Sequence, residues 1–214
     1  MIPSNLKKER EIFKSGLETI GLSLSDDQVE KNLNYLRLLL ETNQEYNLTS
    51  ITDTKEATIK HLLDSLSVYG LLQGETIADI GSGGGTPGIP LAIAFTKKQF
   101  LLVESKQKKA AFLVRAVKQL KLKNVRVINK RAEDVAATNE PETIISRALG
   151  SLDYFIDVAG HLLPKKGMAI AMKGKAEKFK LEKTSKNFEV LQTKKINVPY
   201  LDADRHAVCI IKRK

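Results

Sequence analysis

Two carboxylates, a cluster of glycines and one arginine are the residues of this chain best placed to do chemistry. The apolar run Thr76-Ile77-Ala78 leads into Asp79 and then into Gly81-Ser82-Gly83-Gly84-Gly85-Thr86-Pro87-Gly88. Glycine serves where backbone must take positive φ or come within touching distance of a ligand, and Pro87, with its preset φ, suits the first turn of a helix that Ile89 to Phe95 continues. Gly83, Gly85 and Gly88 satisfy the spacing G-x-G-x-x-G, and Glu104 lies about 20 residues further on, where a ribose-binding carboxylate belongs. Such a loop suits a nucleoside-bearing cofactor. No Gly-Lys-Ser/Thr follows it, and Lys97 comes too late to reach a β-phosphate, so a Walker-type phosphate loop is excluded.

These residues need elements to hold them. Val29, Leu33, Leu36 and Leu40 recur at helical spacing, and Asp53 with Glu56 three places on predicts a capping-box start for a helix through Leu66. The first seventy residues thus read as all-helical. From Glu75 the pattern becomes β-rich runs alternating with helices, at Thr76–Ile80, Phe100–Val103, Val125–Ile128, Thr143–Ile145, Met168–Met172, Glu189–Val198 and His206–Ile211. That is an α/β doubly wound pattern. It divides the chain into a helical extension, 1–70, packed on a main domain, 71–214, with no internal repeat.

In open parallel sheets ligands sit beyond the carboxyl ends of the strands. The residues after successive strands are the glycine loop, Glu104, Ala132-Glu133-Asp134, Ser146-Arg147 and Lys173-Gly174. Glu104 can accept both hydroxyls of a ribose, while a backbone amide near Ala132 and the Glu133 carboxylate can read an adenine edge. NAD and S-adenosylmethionine share these needs. Asp79 tips the balance, because a second carboxylate repels a pyrophosphate but favours an ammonium and sulfonium group. Arg147, planar and always charged, is suited to clamp a methionyl carboxylate or an RNA phosphate.

Composition bounds the class. The chain has 214 residues, is 42% hydrophobic and carries a formal net charge of +10. The single cysteine, Cys209, excludes an internal disulfide framework and a Cys-rich zinc site, and His161 and His206 lack metal-ligand spacing. No apolar run is long enough to span a bilayer, the first residues lack a signal-peptide core, and the sequon at Asn47-Leu48-Thr49 is read as accidental, so a soluble cytoplasmic protein is expected. From Pro164 onward 14 basic residues face 5 acidic ones. That tail, with Lys175, Lys178, Lys180, Lys183 and Lys186, points to a polyanionic partner, and Lys173 at a strand end is assigned to substrate contact. Lys108 and Lys109 open a helix, where the dipole disfavours cations, which suggests a role at RNA phosphates. His61 and Asp64, three apart on one helix face, are read as a structural pair rather than catalytic groups.

Taken together, Asp79 to Pro90, Glu104-Ser105-Lys106 with Lys108-Lys109 and Phe112-Leu113, Arg131-Ala132-Glu133, Ser146-Arg147-Ala148 and Lys173-Gly174 resemble a known family. It is the bacterial 16S ribosomal RNA guanine-N7 methyltransferases, or glucose-inhibited division protein B family. The likeness extends upstream to Asn43-Gln44-Glu45-Tyr46-Asn47-Leu48-Thr49 and His61-Leu62-Leu63-Asp64-Ser65; Thr42 stands where the family usually has an aromatic residue.

The resemblance implies a class I, Rossmann-like methyltransferase fold with a seven-stranded, mostly parallel sheet and an N-terminal helical extension. It implies S-adenosylmethionine as donor, a guanine of 16S ribosomal RNA or the 30S subunit as acceptor, and a monomer without metal. Cofactor contacts carry over to Gly81, Thr86, Ala132, Glu133 and Arg147, with Glu104 the ribose ligand and Asp79, Gly83 and Gly85 completing the loop. Lys108, Lys109, Arg147 and Lys173 are the RNA candidates. The residues agree with an N7 acceptor. Ser146-Arg147-Ala148-Leu149 lacks the Asn/Asp-Pro-Pro-aromatic pattern of exocyclic-amine chemistry, and Cys209, in an apolar run, is no nucleophile for cytosine C5. Guanine N7 has an in-plane lone pair and no proton to lose, so alignment suffices and no catalytic base is assigned. An NAD-dependent oxidoreductase on the same loop and a non-catalytic RNA-binding or assembly factor are the alternatives.

Overall fold

Ser25 accepts a hydrogen bond from the Gln28 amide while the Gln28 side chain accepts one from the Ser25 amide, and this reciprocal box opens the longest helix of the chain. The computed structural model describes residues 7–139, 141–174, 181 and 187–213. Helix α1 (Lys7–Ile20) precedes that long helix, α2 (Asp26–Tyr46), which ends on Asn47 in the left-handed region. Helix α3 (Thr54–Ala57) continues through a π-helical stretch, Thr58–Leu63, into α4 (Asp64–Leu66). The start predicted at Asp53 is there, its Oδ1 accepting from the Glu56 amide at 2.7 Å; the Glu56 side chain instead pairs with Lys60.

The alternating half comprises β1 (Thr76–Ile80), α5 (Gly88–Ala94), β2 (Gln99–Val103), α6 (Gln107–Gln119), β3 (Val125–Ile128), β4 (Thr143–Arg147), α7 (Leu152–Ala159), β5 (Met168–Lys173), β6 (Phe188–Lys195) and β7 (His206–Lys212). The order across the sheet is β3-β2-β1-β4-β5-β7-β6; β1 to β5 run parallel, and β7 runs antiparallel to both its neighbours. All seven sequence-predicted strands are present. Strand β4 reaches Arg147, so Ser146 and Arg147 end the strand rather than follow it, and β6 stops at Lys195 short of the predicted Val198. Pro87 stands just before α5 rather than inside it.

Strand residues alternate between two cores. On one face Ile77, Phe100, Leu102, Ile145 and Ile170 pack with Tyr35, Leu36, Leu62 and Leu113 from the helices; on the other Ile80, Val103, Ile144 and Ala169 pack with Phe155 and Ile156 of α7. The N-terminal helices therefore complete one face of the sheet. Thr42 is buried, its hydroxyl donating to the Leu38 carbonyl of its own helix at 2.7 Å. No described helix is long and apolar enough to cross a membrane.

Candidate active site

The glycine loop leaves β1 at the carboxyl edge of the sheet. Gly81, Gly83 and Gly85 all have positive φ, and the Gly81 and Ser82 amides both donate to the Val103 carbonyl, at 2.9 and 3.0 Å, which ties the loop to β2. Glu104, only 6% exposed, accepts from the Gly83 amide at 2.8 Å and the Lys106 amide at 2.7 Å. Each carboxylate oxygen keeps a second lone pair, so two acceptor sites remain for hydroxyl donors. A Cβ on Gly83 would find no atom nearer than 3.8 Å, so its side of the loop is open.

Asp79 lies beneath that loop. Its side chain is fully buried; Oδ2 accepts from the Gly88 amide at 3.0 Å, while Oδ1 has no partner among the described residues. Burial pushes the carboxyl up to about 7. The expectation that Asp79 faces a ligand ammonium is corrected: its carboxylate props up the start of α5 from inside the core. Gly88 is required there, since an ideal Cβ would sit 2.7 Å from Asp79 Oδ2.

At the end of β4 the guanidinium of Arg147 has all four terminal N–H groups engaged. They donate to the Lys60 carbonyl at 2.6 Å, Asp64 at 3.1 Å, His61 Nδ1 at 3.2 Å and the Thr86 hydroxyl at 2.5 Å. An open clamp for a carboxylate or phosphate, as the sequence suggests, is therefore not what this conformation offers. Arginine has no acceptor, so His61 Nδ1 must accept, which leaves its Nε2–H to donate to Thr49 Oγ1 at 3.0 Å. Burial and the neighbouring Arg147 charge hold His61 near 3, hence neutral. Asp64, buried, also accepts from Arg205 Nε at 3.1 Å and so joins two arginines. The π-helical stretch ends at Leu63, immediately before Asp64, and a main-chain carbonyl of that stretch, Lys60, faces Arg147 together with His61 and Asp64.

Beside this network is a cavity of about 420 Å³ lined by Thr49, Lys60, His61, Arg147, Lys173 and Arg205. Lys173, half-buried at the end of β5, donates to the Gly150 carbonyl, and burial lowers its ammonium from the ordinary value. Lys108 lies over the Tyr46 ring, 5.9 Å from its centroid, and Lys109 Nζ lies 4.0 Å from where a Gly83 Cβ would be. Ala132 and the exposed Glu133 form a short turn after β3, two residues beyond Lys130. Lys175, Lys178, Lys180, Lys183 and Lys186 lie outside the described residues. Lys165 and Lys166 precede β5 whereas Lys173 ends it, so these lysines of the basic tail lie at opposite ends of the strand, about 17 Å apart.

Tyr35 and Arg205 escape sequence reading. Tyr35 is buried between Leu33 and Leu36 and donates from its hydroxyl to the Gly84 carbonyl at 2.7 Å, so α2 pins the loop from below. Its helical spacing marks it as core, but nothing marks the carbonyl it meets. Arg205 comes from just before β7, about 140 positions from its partner Asp64. Cys209 is buried, with its thiol pushed up by desolvation, and no group of three or more described His, Cys, Asp or Glu side chains is placed to hold a metal.

Residues 28–209 match the family model described as GidB: rRNA small subunit methyltransferase G. The chain is 42% identical over 203 residues to the "Ribosomal RNA small subunit methyltransferase G" of Nitrosococcus oceani, covering 95% of each chain. It is 40% identical over 204 residues to the protein of the same description from Coxiella burnetii, covering 95% of this chain and 98% of that one. Among solved structures it is similar to a SAM dependent methyltransferase from Aquifex aeolicus, with a TM-score of 0.51, 16% identity and coverage of 68% of this chain and 87% of that chain, a likeness of fold.

Proposed function

The chain belongs to the rRNA small subunit methyltransferase G (GidB) family, and from that premise we propose that it transfers a methyl group from S-adenosylmethionine to N7 of a guanine in 16S ribosomal RNA. The observation that carries the reading is the bridge between two half-sites: Thr86 of the glycine loop is bonded to Arg147, which lines the basic cavity. A donor held on the loop and an acceptor held in the cavity would thus share one rigid boundary.

The residues fit the donor. The buried Glu104, its acceptor capacity half used, would take the ribose hydroxyls; the open face at Gly83 admits close approach of backbone to ligand; Ala132 and Glu133 would meet the adenine. When bound, S-adenosylmethionine supplies a methyl group activated by its sulfonium. Arg147 acts as a positioning residue that fixes Thr86 against the π-helical stretch. Lys60, Lys173 and Arg205 surround the cavity with positive charge, which Asp64 offsets in part and which suits a phosphate-bearing nucleotide. With no proton to remove from N7, these residues need only hold the ring in line with the methyl group and sulfur. We place the protein in the cytoplasm, where its ribosomal substrate is, and read it as a monomer.

The test is incubation with isotopically labelled S-adenosylmethionine and either 16S ribosomal RNA or 30S subunits, followed by mass mapping of the labelled base. Label on a guanine N7 is expected, with a single-turnover rate that varies little between about pH 6.5 and 8.5. Label on an exocyclic amine or on cytosine would overturn the assignment.

A further inference from the structure

Residues 106–131 hold ten Lys and Arg and no Asp or Glu, inside the part of the chain before Pro164 whose charges nearly balance only with this run included. The run covers α6, the turn after it and β3, the edge strand of the sheet. Nine of the ten side chains are exposed, Lys109 being half-buried, and among the described residues none of the ten makes an ion pair. Several cations elsewhere are paired, Lys31 with Asp27 and Arg37 with Glu41 on α2, Lys60 with Glu56, Lys98 with Glu75 and Lys195 with Asp204, whereas no other described stretch gathers so many unpaired ones. A face kept only for solubility gains from mixed signs, whereas like charges three or four apart on a helix repel. The strip bears that repulsion with no internal counter-charge.

Its geometry is directional. Lys108, Arg115 and Lys118 share one face of α6 and span about 15 Å, and Lys121 extends the line past the helix end. Ala111 and Val114, exposed between them, are uncharged and short, so a partner can lie along the helix. The strip starts two residues after Glu104, at the mouth of the candidate site, and leads away from it; Lys130 and Arg131 return to the mouth beside Ala132. From Ala111 to Asn124 it exposes no aromatic ring on which a base could stack, and beyond Ala111 its one exposed apolar side chain is Val114, too little for the apolar centre of a protein interface.

We propose that this strip docks the phosphate backbone of an RNA helix flanking the methylated base, orienting the substrate without reading its sequence. The proposal rests on the methyl-transfer reading for the identity of the RNA. The test compares a triple variant, Arg115→Gln with Lys118→Gln and Lys121→Asn, with a control of equal charge loss, Lys31→Gln with Lys98→Gln and Lys195→Gln. Asparagine is chosen at 121 because that residue has φ of 54°, which asparagine tolerates. Binding of protein-free 16S ribosomal RNA and of 30S subunits is measured across a salt series, beside S-adenosylmethionine affinity and turnover at saturating RNA.

The strip variant should bind RNA at least about tenfold more weakly at low salt and lower the slope of log affinity against log salt by about two to three, with cofactor affinity and saturated turnover kept. The control should change the slope by less than about one. Equal slopes in the two variants, or a wild-type slope in the strip variant, would overturn the proposal. So would a loss confined to 30S subunits with protein-free RNA unaffected, which would mark a face for a ribosomal protein. A wild-type protein that binds RNA through the strip yet transfers no methyl would instead overturn the methyl-transfer reading alone.

Discussion

Glu104 is held by two main-chain amides, so its position survives small changes around it and its loss is felt by whatever else it bonds. Glu104→Ala should weaken S-adenosylmethionine binding by about 1–3 kcal/mol, read by calorimetry, while the fold persists. Tighter binding of NADH by the wild type would contradict the assigned cofactor. Asp79 and His61 make opposite statements about pH. Asp79 is raised from 3.8 to about 7, so folding favours its protonated form; that contribution is whole below about 3.8 and is lost as pH rises through 7. His61 is lowered from 6.5 to about 3, so its contribution is whole above 6.5 and is lost as pH falls towards 3. Asp79→Asn keeps an acceptor for Gly88 and removes only the first effect. Its stability relative to wild type, measured by urea unfolding, should therefore climb between pH 4 and 7, and a constant difference would show that Asp79 does not titrate there.

At the scale of elements, the glycine loop contains two kinds of glycine that the sequence motif does not tell apart. Gly83 has φ of 56° and open space around it, whereas Gly88 sits against Asp79 and Leu102 at the start of α5. Gly83→Ala should cost about 1–2 kcal/mol of backbone strain and act chiefly on the cofactor. Gly88→Ala should overpack the join of α5 to β1 and β2 and cost about 1–3 kcal/mol of fold stability. Thermal unfolding beside calorimetry separates the two, and equal cofactor defects with equal melting shifts would refute the distinction. The strand positions were legible because a doubly wound sheet buries its strands on both faces and writes them as short apolar runs between turns. The π-helical register of Thr58–Leu63 was not, since its apolar pattern reads as any short helix.

For the whole molecule, the division at about residue 70 marks a change of architecture, yet one apolar core crosses it. Phe13, Tyr35, Leu36 and Leu62 pack in the same cluster as Ile77, Phe100 and Ile170 of the sheet. The chain should therefore unfold in a single cooperative transition, with backbone and tyrosine signals coinciding in urea. A fragment beginning at Leu72 would expose that face of the sheet and should fail to fold. A stable, soluble fragment that melts cooperatively would instead establish two independent domains.

Local order alone determined the strands, the glycine loop, the carboxylate at the end of β2 and the basic character of the surface, because each depends on neighbours a few residues apart or on composition. Only the tertiary structure decided which of these groups are free to act. Arg147 lies 83 positions from Asp64, and Asp64 141 positions from Arg205, so that no spacing could show the arginine already bonded by its partners. Asp79 looks like a ligand carboxylate in the motif, and its burial follows from how α5 folds back over β1. The balance of charge along the first three quarters of the chain also conceals the strip on α6, because acidic residues on other elements offset it in the count.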